Sequence, residues 1–446
     1  MTDERQGREI ESLNGWWHTW LDEAAAWERE ELLWPGVSTD SLPMRAPSAG
    51  WDGMEWGMES TRVPGTLAQA RPGYHGVAWQ WRPIVIPEEW QGRLVRLRFG
   101  GARQCLEAYL DDRPVGYDLD GLTPFTVDLT PHVRFGGQHE LALRVTNPGG
   151  WRAAEEGGAI GWGEAALPGS RDIGGLWGGV ALEAAPRLHV DDLHVLAGEA
   201  IGEVSAHVTL RNAGPAVVAQ VRASIRDAAG RPAAHRPAET TVVVPEGGDA
   251  VQTLPLAMAD PKDWAPGRPY LYRVIVEARC EHGMDRADAP LGLRRVAEGD
   301  GRILIGEAPL GPHVGEMPDP LDGEGPSFPA AEREVARARA VGLDVLVSRG
   351  WPATPELLDA ADRLGLPVVQ TLVGVEDPAR VLPDARGLYA ALAQDRLRRL
   401  IRRDRHHPCV VAWRLPMARD AVAYEPYARL IHDEDPTRPV IAAHGR

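Results

Sequence analysis

Lysine is nearly missing from this chain. Of 48 basic residues among 446, Lys262 alone is a lysine, and 64 acidic residues leave a formal net charge of −16. A surface of that sign has little with which to neutralise phosphates, which excludes nucleic acid and an anionic membrane as partners. Cysteine is scarce too. Cys105, Cys280 and Cys409 are odd in number, widely spaced and each embedded in apolar sequence. They read as reduced core thiols, so neither a disulfide framework nor a zinc site is indicated, and no cofactor is expected. Long apolar runs are absent as well, since none approaches the roughly 18 residues that a membrane span needs. Residues 1–15 are acidic and polar and hold no apolar signal-peptide core. What remains is a soluble chain, expected in the cytoplasm and long enough for roughly three domains.

Residues 14–33, NGWWHTWLDEAAAWEREELL, are helix-permissive, with Trp17, Trp20, Leu21 and Trp27 able to share one stripe. Such a stripe either pins a helix to the next domain or offers a sugar a stacking platform. From Trp79 the texture becomes β. Runs such as WQWRPIVIP, GRLVRLRFGG and HELALRVTNP alternate apolar and polar residues between Pro, Gly and Asp turns, as antiparallel sandwiches do. Asp111 and Asp112 form a tight-turn pair between two of these runs. Beyond Pro186 a second alternating set, from LHVDDLHVLAG to AVQTLPLAM, suits an immunoglobulin-like sandwich of about 100 residues.

After Arg302 strands alternate with helices. Strands are expected at Ala308–Glu316, Asp344–Arg349, Pro367–Val375, Cys409–Trp413 and Pro439–Ala443. Helices are expected at Ala330–Val341, Thr354–Leu364, Gly387–Arg402 and Tyr424–Asp435. Short loops between such units indicate a parallel sheet closing toward a barrel.

Residues 402–420, RRDRHHPCVVAWRLPMARD, carry the sharpest signature. Arg403, Asp404, His407, Pro408, Val410, Trp413 and Leu415 fall on the pattern R-D-x-N-H-P-S-V-x-x-W-S-L-G-N-E. Trp79–Pro87 resembles W-Y-R-R-x-F-x-V-P, and residues 170–182, SRDIGGLWGGVAL, resemble G-G-I-W-G-x-V-x-L. Trp264–Tyr272 resembles W-S-P-x-x-P-x-L-Y, and Asp435–Pro439 resembles D-P-T-R-P. On these motifs the chain resembles the family 2 glycoside hydrolases, the β-galactosidases, β-glucuronidases and β-mannosidases.

The resemblance implies a jelly-roll β-sandwich, an immunoglobulin-like β-sandwich and an incomplete TIM-type (β/α) barrel. The units expected are residues 1–62, an N-terminal helical or extended segment packing on the jelly roll; 63–185, the sugar-binding-like jelly roll; 186–298, the second sandwich; and 299–446, the truncated barrel. From Arg302 onward there are 145 residues (446 − 302 + 1), against about 250 for a complete eight-fold barrel.

The chemistry implied by the resemblance is degenerate. Retaining glycosidases set two carboxyl groups about 5–5.5 Å apart. The Asn-Glu pair that ends the family's pattern falls on Met417 and Ala418, and the nucleophile falls on a seventh strand beyond the five seen here. Asp420 reads as a helix cap or loop residue, and Glu316 is one acid without a partner. His313, Trp351 and Trp413 are the residues expected to line the sheet top and bind sugar. Asp118, Asp120 and Trp162 are the candidates in the first sandwich, where turn and core roles compete. His406 and His407 are adjacent and lack metal-ligand spacing; the His-Pro of this run is structural in the family. Two readings stay open, besides a broken product with no activity. One is a catalytically degenerate carbohydrate-binding or interaction module. The other is an active retaining β-glycosidase completed by a homo-oligomer or a complementing chain that covers the barrel edge.

Overall fold

The computed structural model describes residues 7–25, 45–55, 58–74, 76–103, 105–147, 174–198, 200–317, 328–348, 352–372, 386–415 and 421–442. The first ten strands are β1 (Glu9–Ser12), β2 (Gly15–Asp22), β3 (Glu59–Val63), β4 (Gly76–Val85), β5 (Leu94–Phe99), β6 (Cys105–Leu110), β7 (Arg113–Asp118), β8 (Phe125–Asp128), β9 (Gln138–Asn147) and β10 (Val180–Ala185). They form a four-stranded sheet, β1-β10-β5-β8, and a six-stranded sheet, β3-β2-β4-β9-β6-β7. Inward residues of both, among them Trp17, Leu97, Phe99, Leu106, Leu143 and Leu182, share one core. The turn between β6 and β7 carries positive φ at Asp111 (49°) and Asp112 (65°). Asp111 compensates by accepting hydrogen bonds from Glu140 N at 3.0 Å and His139 Nδ1 at 2.7 Å.

The expected N-terminal helix is corrected here. Residues 15–22 are strand β2, held between β3 and β4, and the rest of the expected helix from residue 26 lies outside the described residues. Trp17 and Thr19 are buried, while Trp16, His18 and Trp20 are not. The side-chain period is therefore 2, and the backbone pairs with β3 over residues 15–19 and with β4 over residues 18–22. With β1 and β3, this segment belongs to the sandwich and does not merely rest on it.

Strands β11 (Leu188–Ala197), β12 (Glu203–Asn212), β13 (Val217–Arg226), β14 (Ala238–Val244), β15 (Asp249–Ala257), β16 (Trp264–Ala265), β17 (Arg268–Pro269), β18 (Tyr272–Cys280) and β19 (Gly283–Leu291) follow. Sheets β11-β12-β15 and β14-β13-β18-β19 face each other across a second core of Val, Ala, Leu and Ile side chains.

Next come β20 (Val296–Gly299), β21 (Arg302–Ile305) and β22 (Ala308–Pro309), a small antiparallel sheet. The single strand expected over Ala308–Glu316 is thus divided. Its first part pairs back onto β21, and β23 (Val314–Glu316) begins the parallel sheet after Gly311 and Pro312. The remaining elements are α1 (Phe328–Ala340), β24 (Val345–Val347), α2 (Pro355–Leu364), β25 (Val368–Thr371), α3 (Arg386–Asp404), β26 (Val410–Leu415), α4 (Ala421–Glu434) and β27 (Val440–Ala442). Strands β23 to β27 lie side by side in chain order and all parallel. The helices bury one face through Val335, Leu358, Leu397, Val410 and Trp413. Ile303 and Ile305 of the small sheet, with Leu310 just after it, pack on the other face against Val345, Val369 and Val411. Helix α2 shows how locally this pattern is written. Thr354 Oγ1 caps Leu357 N at 3.3 Å, Pro355 opens the first turn, and Gly365 closes the helix at φ 71°. Among the described residues no helix is long and apolar enough to cross a membrane.

Candidate functional site

In a parallel sheet with helices, side chains converge where the strands end, beyond their carboxyl termini. Those ends are Glu316, Ser348, Gln370 with Thr371, Leu415 and Ala442. Ser348 Oγ accepts from Thr371 N at 2.6 Å, and Thr371 Oγ1 donates back to Ser348 O. Gln370 is fully buried; its Oε1 accepts from Ala353 N at 3.2 Å, while its Nε2 has no partner. Among the described residues of the five strands, Glu316 is the single carboxylate. A pair of carboxyls at glycosidase spacing is therefore not assembled from these strands. Trp351, Met417, Ala418 and Asp420 lie outside the described residues.

The opposite end of β26 is where the motif residues meet. Trp413 Nε1 donates to Asp435 Oδ2 at 2.7 Å, and Arg438 Nη1 donates to the same oxygen at 2.6 Å. Burial alone would raise the Asp435 carboxyl, but the Arg438 charge and bonds from Thr437 and Trp413 hold it well below the usual carboxylate range. Arg438 further donates to the carbonyls of Val410, Arg405 and His407 at 2.7–2.9 Å. Asp362 accepts from Cys409 N at 2.7 Å and meets His407 Nδ1 at 2.7 Å. Burial works to lower the His407 pKa, yet the Asp362 charge and hydrogen bond raise it. Burial and the Arg405 charge push His406 down to about 3, so that ring is neutral.

Asp362, His407 and Cys409 bring three metal-ligating atoms within 4.8 Å of one another. Sequence spacing missed that cluster because Asp362 comes from α2. Each of its carboxylate oxygens already accepts a hydrogen bond, which makes it a brace between α2 and the entry to β26. The described part of the run, through Leu415, is thus a floor under the sheet.

Two expected sugar contacts are corrected by this geometry. Trp413 is 0% exposed, hydrogen-bonded at its indole and covered by the Arg438 guanidinium 5.7 Å from its ring centre, so it is core and has no free ring face. His313 precedes β23 and sits at the amino end of the sheet, with its backbone N and Nδ1 both on Asp344 Oδ2 at 3.0 and 2.9 Å. It is on the wrong side of the sheet to join the strand ends.

Asp118 and Asp120 are also accounted for without a ligand. Asp120 pairs with Arg396, and Asp118 accepts from Arg399 Nη1 at 2.7 Å. Burial raises both carboxyls, but for Asp120 the Arg396 and Arg399 charges win and hold it below its usual range. The two acids are therefore ion-pair partners joining the first sandwich to α3. Trp162 lies outside the described residues. Arg405, the residue after α3, meets the second sandwich through Asp192 Oδ1 at 2.7 Å, and Trp264 Nε1 reaches Asp362 O at 2.9 Å. The signal for the first contact was present in sequence: Arg396 and Arg399 are spaced to share one helix face.

Residues 10–156 match the family model described as glycosyl hydrolases family 2, sugar binding domain, and residues 188–294 match the one described as glycosyl hydrolases family 2. A β-galactosidase of Thermoanaerobacter pseudethanolicus is 24% identical over 400 residues, 82% of this chain and 48% of that protein. A β-galactosidase of Bacteroides ovatus is 26% identical over 361 residues, 78% of this chain and 40% of that protein. The chain thus spans less than half the length of these curated relatives. Among solved structures, a β-D-glucuronidase of Dictyoglomus thermophilum superposes with TM-score 0.73 at 17% identity, covering 100% of this chain and 74% of the other. A Bacteroides uniformis β-glucuronidase gives TM-score 0.74 at 19% identity, covering 98% of this chain and 52% of that one. At those identities the likeness speaks to fold alone.

Proposed function

The chain belongs to glycoside hydrolase family 2, and on that premise we propose that it is a carbohydrate-binding member with no acid/base residue of its own. The carrying observation is the exit from β26. The strand ends at Leu415 and runs into Pro416, Met417 and Ala418, where the family pattern has its Gly-Asn-Glu. Removing a general acid/base costs about 10²–10⁴ in rate. Glu316, on β23, is one carboxylate where the retaining mechanism needs two. Pro416 adds a second obstacle, because proline fixes φ and removes a backbone donor where the pattern has glycine.

In this reading the five parallel strands are the opening part of a (β/α) barrel, and the two sandwiches, divided near residues 185 and 298, hold it at a set angle. The buried pair Arg396–Asp120 and the half-buried pair Arg405–Asp192 support that role, since they tie α3 and the residue that follows it to different sandwiches.

A fluorosugar that traps the nucleophile, read by mass spectrometry alongside turnover of nitrophenyl β-glycosides, tests the proposal. No turnover and no adduct are expected. A covalent adduct on any Asp or Glu of this chain overturns it and names the nucleophile. A second reading rests on the open edges of the parallel sheet, since β23 and β27 each have one neighbour among the described residues. Residues from another chain that pair there would bring carboxylates with them, and turnover would then appear only when that chain is added.

A further inference from the structure

Where the first sandwich meets α3, one buried charge has no partner. Between β5 and β6 the backbone of Arg103 is fixed by Gly175, with Arg103 N on Gly175 O at 2.9 Å and Gly175 N on Arg103 O at 3.0 Å. The residue is 7% exposed, and its guanidinium lies within electrostatic reach of Arg396 on α3.

The acids of this joint are already taken. Asp120 accepts from Arg396 Nε and, through its carbonyl, from Arg396 Nη2 at 3.2 Å. Asp118 accepts from Arg399 Nη1 at 2.7 Å, and Asp395 meets the same nitrogen at 3.2 Å. Among the described residues no carboxylate faces Arg103, and its Nε is sealed from water with no hydrogen-bond partner. Its two terminal nitrogens are not sealed in that way, and neither is Arg396 Nη1, the nitrogen of that guanidinium with no bond to Asp120. Burial and the Arg396 charge push the Arg103 pKa down to about 9, as the lack of a counter-charge requires. Proteins pair a buried charge or neutralise it. Arginine does not neutralise itself at physiological pH, so a pairing anion has to come from outside the chain.

We infer that Arg103, with Nη1 of Arg396, is a binding site for a small oxyanion, a phosphate, sulfate or small carboxylate, that completes the joint between the first sandwich and α3. The planar fork of a guanidinium matches two oxygens of one anion, and a halide presents no second oxygen to it. The little exposure left to Arg103 admits an ion and excludes a polymer. In a chain of net charge −16 the overall field repels anions, so attraction at this place comes from the two arginines. The site lies away from the parallel-sheet strand ends, and it neither needs nor tests the carbohydrate-binding reading.

The test is equilibrium dialysis of the full chain, at constant ionic strength, against radiolabelled phosphate, sulfate or acetate, with Arg103→Met and Arg103→Lys alongside. The wild type should hold a single equivalent of at least one of these anions at millimolar concentration. Arg103→Met should hold none, and Arg103→Lys, which keeps the charge and loses the fork, should bind about tenfold more weakly. Calorimetry gives the second readout. At tenfold excess over its dissociation constant the anion should raise the wild-type melting temperature by about 3 °C and leave Arg103→Met unmoved. Without anion, Arg103→Met should melt at or above the wild type, because it removes a charge that nothing in the protein balances; that result also separates lost binding from lost folding. No label on the wild type, or equal label on the wild type and Arg103→Met, overturns the site. So does an Arg103→Met melting temperature several degrees below the wild type in anion-free buffer, since the protein itself would then be holding that charge.

Discussion

Replacing Asp435 by alanine removes the anion at the centre of the floor under β26. Asp435 and Arg438 are 0% and 2% exposed at their side chains, and Trp413, which shares the carboxylate, is 0% exposed. The variant leaves a guanidinium buried without its counter-charge and an indole N–H without an acceptor. Breaking a buried pair from one side costs about 3–5 kcal/mol. With a urea slope of about 2 kcal/mol per M, the midpoint should fall by about 1.5–2.5 M, followed by tryptophan fluorescence. A double variant, Asp435→Ala with Arg438→Met, should recover much of the loss, because the orphaned charge goes too.

Acid adds a second check on the same residue. The native carboxyl is held below its ordinary value, so its contribution is fully present above the unfolded value of about 3.9. It is lost as pH falls through the native value. The gap between wild type and Asp435→Asn should therefore stay constant from pH 7 to about 4 and narrow below that. A midpoint shift under about 0.5 M for Asp435→Ala would refute the claim that this carboxylate braces the sheet.

Two further outcomes follow from other contacts. Asp120→Asn should loosen the first sandwich from α3, because Arg396 would then face Arg103, which burial and Arg396 already push down to about 9. The expected destabilisation is about 3–5 kcal/mol, and calorimetry should show one transition splitting; an unchanged thermogram would show the pair to be dispensable. For His407 the native pKa is raised, so its contribution is complete below the unfolded value of about 6.5 and fades as pH climbs through the native one. The stability deficit of Asp362→Asn should hence be larger at pH 5.5 than at pH 9, and urea midpoints at the two pH values decide it.

Much of the third unit was readable from local pattern. The expected helix Thr354–Leu364 appears as α2 with Thr354 as its cap, and the strand expected at Cys409–Trp413 appears as β26, one residue later at its start. Such elements depend on periodicity, caps and breakers within a few residues, and those survive any packing arrangement. The N-terminal tryptophans did not read correctly. Trp17, Trp20 and Leu21 fit a helical stripe as well as a strand, and only the presence of β3 and β4 on either side selected the strand.

The sequence by itself determined the family signature and the order of sandwiches and parallel strands, since each is a matter of residue type and pattern along the chain. Tertiary structure alone decided what the signature residues do. Trp413 became core and His313 went to the far end of the sheet. Asp120 met an arginine 276 residues away, and Trp16 was left uncovered on an aromatic face. A side chain's neighbours across a sheet or between domains come from segments remote in the chain, and no local spacing records which of them will arrive or whether anything covers the ring that remains.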